Sequence, residues 1–202
     1  MADYVSIANR VAIRIGEEEI RTPGDDNHFA RTVAAVWDEV RQGCIREHTW
    51  NMAMARKGLT ADAAVLAGDI YPWAYSFPLP ADFLRLVEVL NLPGDRYQIE
   101  GRAILCDDLG PVYIRYLKDV PETALWDAGF VGYFAAELEK TVGVRISGSS
   151  YDVARGERNA MRMLSKAISA DARENPPVEM DLTGWEGAYL GGEMPGAFPR
   201  PA

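Results

Sequence analysis

Cys44 and His48 are the residue pair in this chain with the most chemistry in them. Four apart in a helical pattern, they share one face, which is half of a metal site or a thiolate–imidazole pair. The other half is missing. The remaining cysteine and histidine, Cys106 and His28, are scattered along the chain, whereas a structural zinc needs four ligands in close spacing. Cys44 also falls on an apolar stripe, where a thiol is usually inert. Among the carboxylates, Glu17-Glu18-Glu19 form a run in a turn. It reads as a solvated edge, because paired-carboxylate chemistry needs acids facing each other across a cleft. Asp107-Asp108 separates two strand patterns and reads as a turn former. Gly143-Val-Arg-Ile-Ser-Gly148-Ser149-Ser150 has the glycine spacing of a phosphate-binding loop. It lacks the lysine that would reach the phosphates and follows a helix rather than a strand. No Gly-x-Ser-x-Gly, His-Glu-x-x-His or dinucleotide-binding glycine fingerprint occurs. The expectation is a chain with no catalytic residue, no cofactor and no metal, weighted toward a structural or interaction role.

At 202 residues the chain can bury the core of one domain, with or without an appendage. A hydrophobic fraction of 48% and a charged fraction of 25% are ordinary for a globular protein. The net charge of -9 and a sequence pI near 4.8 argue against a surface that holds nucleic acid by its phosphates. No apolar run reaches membrane-spanning length. The opening Met1-Ala-Asp-Tyr4 leads straight into a helical pattern, so no secretory leader is expected. Both cysteines sit in apolar patterns and suit reduced, buried thiols.

The elements that must position everything else begin with Tyr4, Ile7, Ala8, Val11, Ala12 and Ile15, which predict a helix over 3–15 closed by Gly16. Asn27 or Asp26 caps a second helix whose stripe runs from Phe29 through Trp37 to Cys44; with Trp50 to Ala55 prolonging it, it spans 27–55. Residues 58–75 read as irregular loop. Pro78 and Pro80 exclude a central strand from Phe77 to Asp82. They leave an extended lead-in to Leu84–Leu90, a hairpin over Tyr97–Cys106 and a strand over Val112–Tyr116: a small antiparallel meander at about 77–118. Phe130, Phe134, Leu138 and Val142, four apart, then predict a helix over 126–146. A second helix over 150–173, carrying Val153, Ala160, Leu164, Ala167 and Ile168 on its apolar face, makes an antiparallel hairpin with it. Gly129, Gly132, Ala135 and Ala136 are small enough to let its partner come close. The fold expected is α+β, mainly α: a helical bundle of two N-terminal helices plus a C-terminal hairpin, with the meander inserted. Residues 1–175 form one domain and 176–202 an extended Gly/Pro-rich arm. That arm carries Trp185, Tyr189, Leu190 and Phe198, the residues expected to grip a partner or neighbouring subunit.

In order along the chain, several pieces resemble the head-to-tail adaptors of tailed bacteriophages, the tail tubular protein A family. They are Ile7-Ala-Asn-Arg10 with Ile15-Gly16, His48-Thr-Trp50-Asn51-Met-Ala53, and Phe77-Pro-Leu-Pro-Ala-Asp82-Phe-Leu-Arg-Leu. Tyr97-Gln-Ile-Glu-Gly101-Arg, Val112-Tyr-Ile-Arg-Tyr116 and the stretch from Phe130 to Ser149 complete the set. Thr49 and Met52 depart from the family's pattern. The resemblance covers about residues 5 to 175 and does not extend to the arm. It implies a virion protein at the head–tail junction, made in the host cytoplasm and assembled as a ring, typically a dodecamer, beneath the portal protein. The next tail component, a nozzle or tail tube, would dock below, and DNA would pass through the channel without sequence-specific binding. Two other readings compete: a tail-associated cell-envelope glycan hydrolase using Glu137 or Asp108, and an interaction or scaffold domain unrelated to virions.

Overall fold

The computed structural model describes residues 2–65 and 67–174, and the architecture is α+β, mainly α. Trp185, Tyr189, Leu190 and Phe198 lie outside the described residues. Four α-helices make the body: α1 (Tyr4–Ile15), α2 (His28–Glu47), α3 (Ala128–Ser147) and α4 (Val153–Glu174). Each starts on a side chain that accepts from the helix's free N–H groups. Asp3 and Ser6 form a capping box on α1, Asn27 accepts from Ala30 N–H, and Asp127 accepts from Gly129 and Phe130 N–H. Asp152 accepts from Arg155 N–H at 2.9 Å. Gly16 closes α1 in the left-handed region, φ 81°, as its position after the apolar pattern predicts.

α3 is the helix the others surround. Every residue from Phe130 to Ala136 is buried, and Leu138, Val142 and Gly143 extend the buried surface. The expected single stripe is therefore only part of it; α1 and α2 pack on α3, and Ala160 and Ala167 of α4 are buried. The two hairpin helices run antiparallel and very close. A Cβ added at Gly129 would lie 3.2 Å from Ala167 Cα, and one at Gly132 2.7 Å from Met163 Cε. At the turn, the Tyr151 ring fills the space a side chain at Gly143 would need, 2.5 Å from such a Cβ. One expected member of the α4 face is misplaced: Val153 is exposed, because it is the first residue of the helix.

α2 ends at Glu47 instead of running to 55, since His48 is already extended. The cause is Trp50. Its ring turns back into the core against Phe130 and Tyr133, and its Nε1 donates to the Cys44 carbonyl at 2.9 Å, satisfying one of the acceptors a helix end leaves free. Residues Met54–Leu59, expected as helix end and loop, form strand β1. The other strands are β2 (Tyr75–Pro78), β3 (Phe83–Val89), β4 (Tyr97–Glu100), β5 (Ala103–Cys106) and β6 (Val112–Lys118). They do not make one meander. They form two antiparallel sheets, β1-β6-β3 and β2-β5-β4, because β6 inserts between β1 and β3. Pro78 stands on an edge strand, as its missing donor requires. The first sheet is a partition. Leu117, Met54, Leu84 and Val87 face the helical core, while Val112, Ile114, Tyr116, Leu86 and Val89 join Phe77 and Ile104 in a second core. Register shifts at Phe83/Arg85 and Leu86/Glu88 break the period of two in β3, which lets Leu84 and Val87, three apart, face the same side.

Phe134 is fully buried and packs edge-on against Trp37 and Trp126. Phe134→Ala is expected to cost about 3–5 kcal/mol in urea unfolding; a loss under about 1 kcal/mol would remove α3 from the centre of the fold.

Candidate functional site

The residues singled out for chemistry do not converge. Cys44 is buried on α2, and burial, reinforced by Glu137, pushes its thiol well above the ordinary range. Burial likewise pushes up the Tyr133 phenol beside it, with Cys44 the next contributor. Protonated groups of this kind are poor nucleophiles and poor metal ligands at neutral pH. His48 points elsewhere, stacking edge-on with Trp50 and lying 3.5 Å from Asp171 Oδ2. Among the described residues no three His, Cys, Asp or Glu side chains form a group that could hold a metal. Glu137 shares a cleft with Glu39 and Glu47, but its carboxylate is taken by Lys140 Nζ at 2.5 Å, while Glu39 and Glu47 are exposed on α2. Asp108 lies in the turn after β5, on the other sheet, and accepts a weak bond from Cys106 Sγ through its carbonyl. Asp107 Oδ1 accepts from Ala74 N–H at 3.1 Å, a long-range bond between the chain leading into β2 and the chain leaving β5 rather than a bond within its own turn.

What the fold does bring together is a set of joints. Asn9 clasps the backbone of Ile20 in both directions, Nδ2 to the carbonyl at 2.9 Å and N–H to Oδ1 at 2.8 Å. Asn51 N–H donates to Asp171 Oδ1 at 3.1 Å and its Nδ2 to the Asp171 carbonyl at 2.9 Å, tying the α2–β1 corner to α4. Arg102 Nη2 donates to the Pro80 carbonyl at 2.6 Å, and Tyr116 OH donates to Asp82 Oδ1 at 3.2 Å. The strongest joint is Arg41–Asp119, where Nε and Nη2 meet the two carboxylate oxygens at 2.9 and 2.8 Å. Such fork-to-fork pairing fixes geometry as well as energy. It locks α2 to the end of β6.

The concave surface that sequence reasoning did not find lies between α1, α3 and α4. Arg14, Arg155, Arg158 and Arg162, with Asn159, surround a cleft of about 550 Å3 whose buried acid is Glu139. Arg14 Nη1 holds Glu139 Oε2 at 3.1 Å, and Arg162 donates to Asn159 Oδ1 at 3.0 Å. The signal was present: residues 155, 158, 159 and 162 repeat at three and four, which is one face of a helix. Chemically, planar guanidinium groups around one cleft suit bidentate binding of oxyanions. Sequence comparison finds no match between this chain and any protein-family model or curated protein.

Burial alone would raise the Asp119 carboxyl, but the Arg41 bonds and charge more than offset it and hold the group below the ordinary carboxylate range. A depressed folded value means the pair's stabilisation is complete above the unfolded value near ~3.9 and is lost as pH falls through the folded value. Asp119→Asn is therefore expected to cost about 3 kcal/mol at neutral pH and to flatten the fall in stability between about pH 5 and pH 2. Denaturant titrations across that range check both; an unchanged acid limb would exclude Asp119 from acid unfolding.

Proposed function

We propose that this chain is a structural adaptor that joins a phage portal to its tail, assembling as a ring around the DNA channel. The observation that carries the reading is where the family-like residues fall in the fold. Asn9, Trp50, Asn51, Asp82 and Arg102, all inside motifs that resemble the adaptor family, make the hydrogen bonds that hold helices, corners and strands in relation to one another. A motif shared for catalysis would place polar side chains in a cleft; these point into the framework. Residues that specify a shape are what an assembly component needs, because each subunit must present the same surfaces in the same directions for a head-to-tail ring to close. The net charge of -9 supports the reading from another side: acids repeated around a channel repel phosphates, so DNA can move through without being held. The arm supplies contact chemistry of its own in Trp185, Tyr189, Leu190 and Phe198, aromatic and apolar types that concentrate binding energy.

The test is assembly with the cognate portal. Purified full-length chain mixed with that portal is expected to co-sediment with it and to give rings in electron micrographs. Trp185→Ala combined with Tyr189→Ala should weaken co-sedimentation by about tenfold or more. Wild-type protein that neither co-sediments nor forms rings would defeat the adaptor reading.

A further inference from the structure

The cleft between α1, α3 and α4 is where local charge departs most from the charge of the whole chain. Around it stand Arg14, Arg155, Arg158 and Arg162 in a protein of net charge -9, and no lysine lines it. The buried carboxylate of Glu139 binds Arg14. Among the described residues neither Arg155 nor Arg158 makes an ion pair, and Arg162 bonds only the neutral Asn159. Three exposed guanidinium groups thus share one helix face without an acidic partner, an arrangement that adds no ion pair to the isolated fold. Close by is a buried unsatisfied group. The Tyr151 ring is buried, seated against Gly143 and Gly156, and its hydroxyl has no hydrogen-bond partner. It lies near enough to Glu139 and Arg155 that both charges act on it.

We propose that this cleft binds an acidic, extended segment of a protein partner, with carboxylates pairing to Arg155, Arg158 and Arg162 in the way Glu139 already pairs to Arg14. Three observations favour a peptide over a nucleic acid. The basic residues are all arginine, the cation enriched at protein–protein interfaces, whereas lysine is depleted there. The basic surface is one cleft rather than a stripe, so it can receive one or two acidic side chains but cannot follow a phosphate backbone. And Asn159, whose Oδ1 is engaged by Arg162, keeps its Nδ2 donors for a backbone carbonyl of the segment. The inference holds for any assembly in which the chain takes part, so it stands or falls apart from the adaptor reading.

The test uses full-length protein and a fluorescent peptide of about ten residues rich in Asp and Glu, read by anisotropy at low and physiological salt. Arg155→Glu combined with Arg158→Glu is expected to weaken binding by about tenfold or more, while thermal melting stays unchanged because both side chains are exposed. The comparison variant, Arg56→Glu with Arg96→Glu, makes the same change in net charge at exposed positions far along the chain and is expected to bind like wild type. Equal loss in both doubles would show that only net charge matters and would overturn the proposal. So would wild-type protein that ignores the peptide, or binds a DNA oligomer of equal charge more tightly. If the charge reversals fail to fold, Arg158→Gln is measured in their place, with severalfold weaker binding expected and unchanged binding counting against the site.

Discussion

The burial of α3 on every side over Phe130–Ala136 is the constraint from which the rest of this structure follows. A helix with aromatic and small residues distributed around its circumference cannot sit at a surface, so other elements must cover it. The covering is dense where the side chains are large: Trp126, Phe130 and Phe134 pack with Trp37 and Trp50 in stacked and edge-on contacts. It is close where they are small, at Gly129 and Gly132 against α4. Trp50 shows how far this constraint reaches. To place its ring on α3, the chain leaves α2 at Glu47, and that departure starts β1 and so fixes one edge of the first sheet.

The sheets then extend the same core outward. β6 is the hinge of the arrangement in a structural sense: Leu117 belongs to the helical core, while Val112, Ile114 and Tyr116 belong to the core between the sheets. Buried on one face along its length and on the other at Leu117, the strand links one layer to the next, since it cannot slide there without opening a cavity. The polar joints lie beside it. Arg41–Asp119 fixes its C-terminal end to α2, and the Asp119 N–H donates to the Asp82 carbonyl at 2.7 Å, holding the lead-in to β3. Buried polar groups of this kind add little net energy but choose one arrangement among several. That choice is what a component of a closed assembly requires.

The parts of the fold legible in the sequence were those governed by helical period and by turn chemistry. The α1 pattern with Gly16, the Phe130-to-Val142 spacing and the Tyr97–Cys106 hairpin around Gly101 all declare themselves within a few residues. What was not legible depends on partners distant in sequence. Met-Ala-Arg-Lys-Gly-Leu has no alternating pattern because β1 is an edge strand with Arg56 and Lys57 in solvent; only its pairing with β6 makes it a strand. The bulges of β3 conceal its alternation, and the split into two sheets is a property of long-range pairing that no local window contains. The arginine cleft was half visible. The face formed by residues 155, 158 and 162 is a matter of period, but its meeting with Arg14 and Glu139 is a matter of packing.

The distribution of unsatisfied groups separates what this chain does for itself from what it offers to others. Along the α2, α3 and sheet contacts many polar side chains are matched, Asn9 to Ile20, Asn51 to Asp171 and Arg41 to Asp119, although the buried Tyr4 hydroxyl and Arg115 Nε bond nothing. On the α1–α4 flank the acids run short, with Arg155 and Arg158 unpaired and the buried Tyr151 hydroxyl nearby bonding nothing. A single acid at position 158 would give that face an ion pair at no packing cost, since the side chain is exposed. The unpaired arginines therefore mark the surface around α4 for the acidic segment proposed above.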